Sequence, residues 1–396
     1  MLINKQKNIM IMNIGTTISK VQSPIIPVIG ELTRSIPGTL SLGQGMVSYP
    51  PPSAVLEGIH DFGLCQEQHL YGSPLGYEPL LQSISAKLHH DNGINLSHGY
   101  RHMVTAGSNM AFLNVLRTIA DPDDEIILPL PYYFNHEMAI RMLNCIPVSV
   151  PTDSQYQLQI KVLRAAITEK TRAIVTVSPN NPTGAVYPES ALRAVNQLCK
   201  EHGLYHISDE AYEYFTYGSV KHFSPARILG AESHTISLFS LSKAYGFASW
   251  RIGYLVVPEL LLPSLLKVQD TNLICAPLIT QYAALSALQV GSAYCKNQLL
   301  HLAKIRQQVT VSLQPLDNIK VVPTEGAFYL LLRVDTQMSD LELAKLLISE
   351  FKVAVIPGCA FGLTSGCYLR VSYGMLDEDT AMIALERLIA GLKSLY

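Results

Sequence analysis

Between about residues 103 and 257, short apolar runs rich in β-forming residues alternate with segments of helical periodicity. This alternation indicates repeated strand-helix-strand units, which pack as a mainly parallel sheet covered by helices. One helix, over residues 188–202, has clear ends, since Pro188 suits a first turn and Gly203 suits the left-handed residue after the last. Strands are predicted at residues 125–128, 145–150, 172–177, 204–208 and 234–239. We therefore predict an α/β fold.

Three of the predicted strands run into polar residues with special backbone preferences. These segments are Ser-Pro-Asn-Asn-Pro-Thr-Gly at 178–184, Ser-Asp-Glu-Ala-Tyr at 208–212 and Ser-Leu-Ser-Lys at 240–243. In open α/β sheets, ligands bind at the carboxyl ends of the strands. Three such ends with complementary chemistry predict a ligand site along this edge of the sheet.

The pattern changes after about residue 291. A long amphipathic helix at 294–313 precedes strand-like segments at 328–334 and 353–356, with a further helix beginning at residue 339. This mixture is typical of a smaller α+β domain. We predict an N-terminal arm that contributes to the small domain (1–45), a large domain (46–290) and a small C-terminal domain (291–396).

Composition excludes several classes of protein. The chain of 396 residues carries 29 Lys and Arg against 31 Asp and Glu, and 48% of it is apolar. The near-neutral balance argues against nucleic-acid binding, and the apolar content argues against disorder. No uninterrupted apolar stretch of about 18 residues predicts a membrane span. Seven cysteines without a CxxC pair predict free thiols in the cytoplasm and no metal site.

Lys243 is the residue with the clearest chemical implication. It follows an apolar strand, where a lysine packs poorly unless its amine has a task. A lysine amine forms a Schiff base with carbonyl compounds, and pyridoxal phosphate is the best-known carbonyl cofactor. This cofactor also needs an anion site for its phosphate, a carboxylate for its pyridinium nitrogen and donors near its phenolic oxygen.

The phosphate requirement is met by residues from two segments. Gly107, Ser108 and Asn109 follow a predicted strand at 102–105 and lead into a predicted helix at 110–119. Backbone N–H groups at the start of a helix bind anions. Ser240 and Arg251 would add a hydroxyl group and a permanent positive charge. A simple helix cap is the structural alternative for the first segment.

The ring requirements also have candidates. Asp209 ends a predicted strand, and at about 4 Å and an effective dielectric constant near 20 its attraction to a pyridinium is roughly 4 kcal/mol before desolvation. Asn181 and Tyr212 can donate hydrogen bonds to the phenolic oxygen, and Tyr133 can stack on the ring. The structural alternatives are a turn role for Asp209 and ordinary packing for any one of the 20 tyrosines.

In this combination the chain resembles the fold-type I, class I/II pyridoxal phosphate-dependent aminotransferases over nearly its whole length. The Asn-Pro-Thr-Gly, Asp-Glu-Ala-Tyr and Ser-x-Ser-Lys segments carry most of the resemblance. The matching segments, in chain order, are 41–45 (SLGQG), Tyr71 with Gly76 and Leu80, 107–109 (GSN), 121–125 (DPDDE), 131–133 (PYY), 180–184 (NNPTG), 208–212 (SDEAY), 240–243 (SLSK), 250–253 (WRIG), 326–329 (GAFY), 357–358 (PG) and 369–372 (LRVS).

The resemblance implies a fold and a set of residue roles. The fold would be a large domain with a mixed, mostly parallel sheet flanked by helices, plus a smaller α+β domain. Lys243 would bind the cofactor covalently, with Asp209 and Tyr212 as its catalytic partners. Arg370 would hold the substrate α-carboxylate, helped by the backbone of Gly45 and by Asn181. The remaining residues named above would bind the cofactor.

Tyr71 matches a tyrosine that in the family reaches the phosphate bound by the neighbouring subunit. The resemblance therefore implies a homodimer with shared active sites. Its substrates would be an L-amino acid and a 2-oxo acid, converted by a ping-pong mechanism. The apolar segment 25–29 (IIPVI) matches a stretch that folds over the pocket, which favours neutral, aromatic or sulfur-containing amino acids. Simple packing is the structural alternative for this segment, and aspartate and glutamate stay open as substrates, at least as the amino donor.

Two other functions use the same residues. A β-lyase acting on cysteine conjugates would share Lys243, Asp209 and Arg370. A regulator that binds pyridoxal phosphate without turnover would need a DNA-binding module, and the 42 residues before Gly43 leave no room for a helix-turn-helix and a linker. An aminotransferase is the preferred hypothesis.

Overall fold

The computed structural model describes residues 15–395, so residues 1–14 of the predicted N-terminal arm and the final residue lie outside the described part. The helices are α1 (Thr16–Ser19), α2 (Ile25–Ser35), α3 (Ala54–Gly58), α4 (Glu78–Lys87), α5 (Ser108–Ile119), α6 (Phe134–Met142), α7 (Ile160–Ala165), α8 (Glu189–His202), α9 (Leu241–Ala244), α10 (Leu262–Asn272), α11 (Leu278–Val290), α12 (Ser292–Leu313), α13 (Asp340–Phe351) and α14 (Glu378–Lys393). The strands are β1 (Leu40–Ser41), β2 (Tyr100–Thr105), β3 (Glu125–Leu130), β4 (Ile146–Pro151), β5 (Thr171–Val177), β6 (Tyr205–Asp209), β7 (Thr235–Ser240), β8 (Gly253–Pro258), β9 (Ile319–Val321), β10 (Tyr329–Val334), β11 (Val353–Ala354), β12 (Ile356–Pro357) and β13 (Cys367–Ser372).

A seven-stranded sheet forms the centre of the molecule, in the order β2-β8-β7-β6-β5-β3-β4. Neighbouring strands are parallel except around β8, which is antiparallel to both β2 and β7. The six strands predicted for this part of the chain are present, with ends that shift by one or two residues, whereas β8 was not predicted. The mixed, mostly parallel sheet of the predicted fold is thus confirmed.

Helices cover both faces of this sheet because side chains alternate along each strand. Ile126 and Leu128 of β3 pack with residues of α5 and α6. Ile127, which lies between them, packs with α7 and α8 on the opposite face. Gly203 ends α8 with a φ of 66°, the left-handed conformation that the sequence predicted for it.

A smaller α+β unit follows the long helix α12. Its sheet has the order β12-β13-β10-β9 and is antiparallel. The prediction of one strand over 353–356 is wrong, because the segment divides into β11 and β12. β11 pairs with β1 in a separate parallel ladder, whereas β12 joins β13.

Helix α2 and the residues up to Leu42 pack with this smaller unit, whereas Thr17 of α1 donates a hydrogen bond to Asn144, beside α6 of the large unit. Ile29 and Leu42 belong to the same apolar core as α13 and α14. Helix α12 contributes to both parts of the molecule, since Cys295 packs with the large unit and Leu302 packs with the small one. We therefore propose to keep the predicted domain boundaries near residues 45 and 290.

None of the helices between residues 15 and 395 combines the length and apolar character needed to cross a bilayer.

Candidate active site

A cavity of about 380 Å³ lies at the carboxyl edge of the large sheet, between that sheet and the smaller unit. Most of the residues predicted from the sequence line it: Gly45, Ser108, Asn109, Tyr133, Asn181, Asp209, Tyr212, Ser240, Lys243, Arg251 and Arg370. Gly107 stands behind this lining, against the Arg251 side chain. Tyr71 does not line the cavity of its own chain, and 83% of its surface is exposed.

Lys243 lies in the short helix α9, which begins immediately after β7. Its Nζ donates a hydrogen bond of 2.5 Å to the carbonyl oxygen of Gly45. Burial of the amine lowers the pKa of Lys243 to about 8, and the nearby charges of Arg370 and Arg251 act in the same direction. The unprotonated amine, the form that attacks an aldehyde, is thus more abundant near neutral pH than in an ordinary lysine.

Asp209, the last residue of β6, is buried and held by two partners. Its Oδ1 accepts a hydrogen bond from the backbone N–H of Ala211 at 3.1 Å. Its Oδ2 lies 3.1 Å from Nε2 of His136, a residue of α6 whose side chain is also buried. The ring of Phe112 lies 4.1 Å from the His136 ring, centroid to centroid. These contacts fix the orientation of the carboxylate toward the cavity.

The candidate phosphate site combines a helix start with an arginine. Helix α5 begins at Ser108 rather than at the predicted residue 110, so the N–H groups of Ser108 and Asn109 belong to its first turn and lack partners within the helix. Gly107 has a φ of 82°, and a Cβ there would lie 2.6 Å from Nη2 of Arg251. Glycine at this position is what allows the guanidinium to approach the helix start.

The side chain of Arg370 is buried, with 1% of its surface exposed. Nη1 donates to Oδ1 of Asn181 at 2.8 Å, and Nη2 donates to the carbonyl oxygen of Gly43 at 2.6 Å. Among residues 15–395, Nε has no hydrogen-bond partner, and no carboxylate forms an ion pair with this guanidinium. A buried cation without a counter-charge is costly, so this site suits an anion such as a substrate carboxylate.

Two tyrosines meet beside Arg370. The hydroxyl groups of Tyr212 and Tyr329 share a hydrogen bond of 2.7 Å, and the Arg370 guanidinium lies 4.6 Å from the Tyr329 ring centroid. Burial raises the pKa of Tyr212 well above its usual value, and the neighbouring Tyr329 raises it further. Tyr212 is therefore a neutral hydrogen-bond donor.

Tyr133 lies where β3 leads into α6. Its hydroxyl accepts a hydrogen bond from Nδ2 of Asn135 at 2.8 Å. The same hydroxyl lies 3.5 Å from Oδ1 of Asn109, at the candidate phosphate site. Burial raises the pKa of Tyr133, and the charge of Asp209 adds to this effect. The phenol is therefore neutral and is held near both the ring and phosphate sites.

Sequence reasoning missed several residues of this site. His136 is the residue whose side chain contacts Asp209. The sequence feature that could have identified it is its position three residues after Tyr133, which places both residues near the start of α6. Tyr329 lies within a matching segment but received no role. Gln44 also lines the cavity and lies within the matching segment 41–45, but received no role. Arg34 and Met46 line it as well, and nothing in their local sequence marks them.

The residues around this cavity fit pyridoxal phosphate. A reactive amine at Lys243 suits its aldehyde, and the carboxylate of Asp209 suits its pyridinium nitrogen. Nδ2 of Asn181 is free to donate, because Oδ1 is the atom engaged by Arg370. The start of α5 lies beside Arg251, and the left-handed φ of residue 107 favours glycine there. A helix start next to an arginine suits a phosphate.

Comparison with known proteins gives the same result. The family described as "Aminotransferase class I and II" matches residues 37–388. An aromatic aminotransferase of Arabidopsis thaliana is 35% identical, over 94% of this chain and 94% of its own.

Two solved structures illustrate the similarity of the fold. The aromatic aminotransferase of Pyrococcus horikoshii is 31% identical, with a TM-score of 0.85 over 92% of this chain and 99% of its own. The aspartate aminotransferase of Thermus thermophilus with maleate is 30% identical, with a TM-score of 0.87 over 96% of this chain and 100% of its own. The chain therefore belongs to the class I and II aminotransferases and is a pyridoxal phosphate-dependent enzyme of that family.

Proposed function

We propose that this aminotransferase takes the amino group from aromatic L-amino acids, and from neutral and sulfur-containing ones, and passes it to a 2-oxo acid in a ping-pong sequence. The observation that carries this proposal is the apolar side of the cavity, formed by Ile26, Pro27, Met46, Phe134 and Tyr329. Burying an apolar side chain against such walls is favourable by roughly 1.5–3 kcal/mol. Aromatic aminotransferases among the similar proteins support the same substrate class.

When bound, pyridoxal phosphate supplies the electron sink that allows the Cα–H bond of an amino acid to ionise. Asp209, oriented by His136, keeps the pyridine nitrogen protonated. Asn181 and Tyr212 donate hydrogen bonds to the phenolic oxygen, and Tyr133 lies against the ring. The N–H groups at the start of α5, with Ser240 and Arg251, hold the phosphate.

The substrate is oriented by Arg370, whose guanidinium takes the α-carboxylate in two parallel hydrogen bonds. This clamp turns the Cα–H bond toward Lys243, whose neutral amine accepts the proton from Cα and returns it to C4′ of the cofactor. A positioned proton transfer of this kind contributes about 10²–10⁴-fold to the rate. The same amine would therefore serve both as the attachment point of the cofactor and as the base.

A panel of amino acids tests this proposal. Purified enzyme is mixed with single L-amino acids, and conversion of the bound cofactor from its aldehyde to its amine form is followed by absorbance. We expect phenylalanine, tyrosine and leucine to react faster than serine or lysine. Release of pyruvate and ammonia from cysteine conjugates without a 2-oxo acid would instead favour the β-lyase. Failure of every amino acid to convert the cofactor would refute the proposal.

The pKa of Lys243 leads to a prediction about pH. Below about pH 8 the amine is increasingly protonated and loses the lone pair that attacks the aldehyde. We expect the rate at which cofactor-free protein binds pyridoxal phosphate covalently to rise about fivefold from pH 7 to pH 8, to gain about a further twofold by pH 9 to 10, and then to level off. Borohydride reduction at timed intervals, followed by mass spectrometry, measures this rate. A rate that climbs with the same slope to pH 10 would mean that Lys243 keeps an ordinary pKa.

We also propose that the enzyme is a homodimer in which Tyr71 reaches the phosphate held by the partner subunit. Its exposure in the single chain, together with that of Leu64 and Leu70 (79% and 61%), supports a covering subunit, since clustered exposed apolar side chains mark interaction sites.

All seven cysteines lie within the described residues as free thiols, which supports a cytoplasmic location.

Tyr71→Phe tests the shared site. Loss of one hydrogen bond to a charged group is expected to weaken cofactor affinity by about tenfold or more. Equilibrium dialysis of pyridoxal phosphate measures this change. Mixed dimers of Tyr71→Phe and Lys243→Ala chains should then contain one fully competent site, because both defects fall on the other. Mixed dimers with no recovery of activity would contradict sharing between subunits.

A further inference from the structure

A second cavity, of about 250 Å³, lies where the loop after β4 meets the sheet of the smaller unit. Pro151 and Tyr156 line it from the large unit, and Lys320 of β9 and Arg333 of β10 line it from the smaller one. Within residues 15–395, its lining has no residue in common with that of the candidate active site. The reaction proposed above therefore leaves this cavity without a task.

Strand pairing brings the two cations of this cavity side by side. Arg333 lies directly opposite Lys320 of β9 on one side and Tyr368 of β13 on the other. The three side chains thus form a row across one face of the sheet, while Leu332 and Val334 point into the core on the other face. Like charges that face each other across two strands are destabilising. An uncharged residue at either position would suit the sheet alone better.

Neither cation is neutralised by the part of the chain that the structure describes. Lys320 and Arg333 are exposed residues, and no hydrogen bond or ion pair within residues 15–395 involves either side chain. Asp153 is the one carboxylate that the described residues contribute to the lining. Its Oδ1 accepts hydrogen bonds from the backbone N–H groups of Gln155 and Gln157, both at 2.8 Å. The cavity thus has two unpaired positive charges, and its carboxylate already holds the loop together.

Tyr156 brings a hydrogen-bond donor to the same place. Its backbone N–H donates to the carbonyl oxygen of Asp153 at 3.0 Å, which fixes its position in the loop. Burial raises the pKa of the Tyr156 phenol, the neighbouring Tyr368 raises it further, and the charge of Arg333 acts in the opposite direction. The hydroxyl group is therefore protonated at neutral pH and can donate to an anion held by Arg333.

We propose that this cavity binds a phosphate dianion, supplied either as inorganic phosphate or as a phosphate monoester. Arg333 takes two of the phosphate oxygens in parallel hydrogen bonds, Lys320 adds a second positive charge, and Tyr156 donates a further hydrogen bond. A doubly charged group matches two unpaired cations better than a single carboxylate does. The organic part of a monoester packs against the ring of Tyr368 and against Pro151. The site is separate from the reaction, so it does not depend on which amino acid the enzyme uses.

Calorimetric titration of the holoenzyme with inorganic phosphate and with phenyl phosphate, at constant ionic strength, tests this site. The cofactor already fills the phosphate site of the active centre, so we expect saturable binding of one ligand per chain at the second cavity. Arg333→Gln should weaken this binding by about ten- to hundredfold, the range for a hydrogen bond to a charged group. Arg117→Gln, which removes an exposed arginine near the end of α5, is the matched control and should bind as the unmodified enzyme does. Tighter binding of phenyl phosphate would identify a monoester as the ligand, and equal binding would identify inorganic phosphate.

Thermal unfolding gives a second readout, which separates binding from a structural role. In buffer without phosphate, Lys320→Gln should unfold at the same temperature as the unmodified enzyme or slightly higher, because the repulsion with Arg333 is removed. Saturating phosphate should raise the unfolding temperature of the unmodified enzyme by about 2 °C or more, and that of Lys320→Gln by less than half as much. Absence of saturable binding, or an unchanged affinity in Arg333→Gln, would overturn the proposal.

Discussion

Replacement of Lys243 by alanine is expected to lower turnover by about 10⁴-fold or more. The variant loses the covalent attachment of the cofactor and also the proton transfer between Cα and C4′, and the latter alone contributes about 10²–10⁴-fold. The absorbance of the covalently bound cofactor and its trapping by borohydride should vanish together with activity. Single-turnover kinetics with phenylalanine and mass spectrometry of reduced protein measure both effects.

Two further variants show that the effect comes from this amine. Lys243→Arg keeps the positive charge but cannot attack an aldehyde, so it should be as inactive as the alanine variant. Lys304→Ala removes an exposed lysine from α12 and should behave as the unmodified enzyme. Retention of borohydride trapping in Lys243→Ala at an unchanged rate would identify a different lysine as the attachment site.

Asp209→Asn is expected to lower kcat by about 10³-fold. Asparagine preserves the shape of the side chain but removes the negative charge, whose attraction to the pyridinium is about 4 kcal/mol at an effective dielectric constant near 20, equivalent to that factor in rate. Steady-state kinetics with an aromatic amino acid measure the loss, and absorbance titration of the bound cofactor should show a lower pKa for the ring nitrogen.

The neighbouring residue provides a matched control for this substitution. Glu210 is also a buried carboxylate, but it hydrogen-bonds to His222 and Ser224 and does not line the cavity. Glu210→Gln should therefore leave the pKa of the ring nitrogen unchanged, whatever it does to stability. An equal spectral change in both variants would mean that Asp209 acts through the local fold rather than on the cofactor.

The large sheet could be predicted from the sequence because its strands are short apolar runs with polar ends. The periodicity of such runs is a local property, and it located β3 to β7 to within two residues. Pairing is not local, so the apolar pattern of 353–356 predicts a single strand there. Its two halves join different sheets, β11 pairing with β1 and β12 with β13, and the apolar pattern is the same in either arrangement.

In the candidate site, too, some residues could be predicted from the local sequence and others could not. Lys243 and Asp209 could be found because a lysine or an aspartate after a buried strand is conspicuous, and their segments match those of a known family. His136 and Arg34 are ordinary polar residues of amphipathic helices, which are usually solvent-exposed. Only the tertiary fold brings His136 of α6 to Asp209 at the end of β6 and places Arg34 of α2 in the lining of the cavity.

Lys243 and Asp209 act on one bound cofactor in this mechanism, and a crystal structure of the enzyme with pyridoxal phosphate tests this most directly. The measurement is the distance from the Asp209 carboxylate to the pyridine nitrogen, together with the electron density at Nζ of Lys243. We predict a distance of about 2.7–3.2 Å, that of a hydrogen bond, and continuous density from Nζ to the cofactor. Density on another lysine, or a pyridine nitrogen facing away from Asp209, would contradict the account.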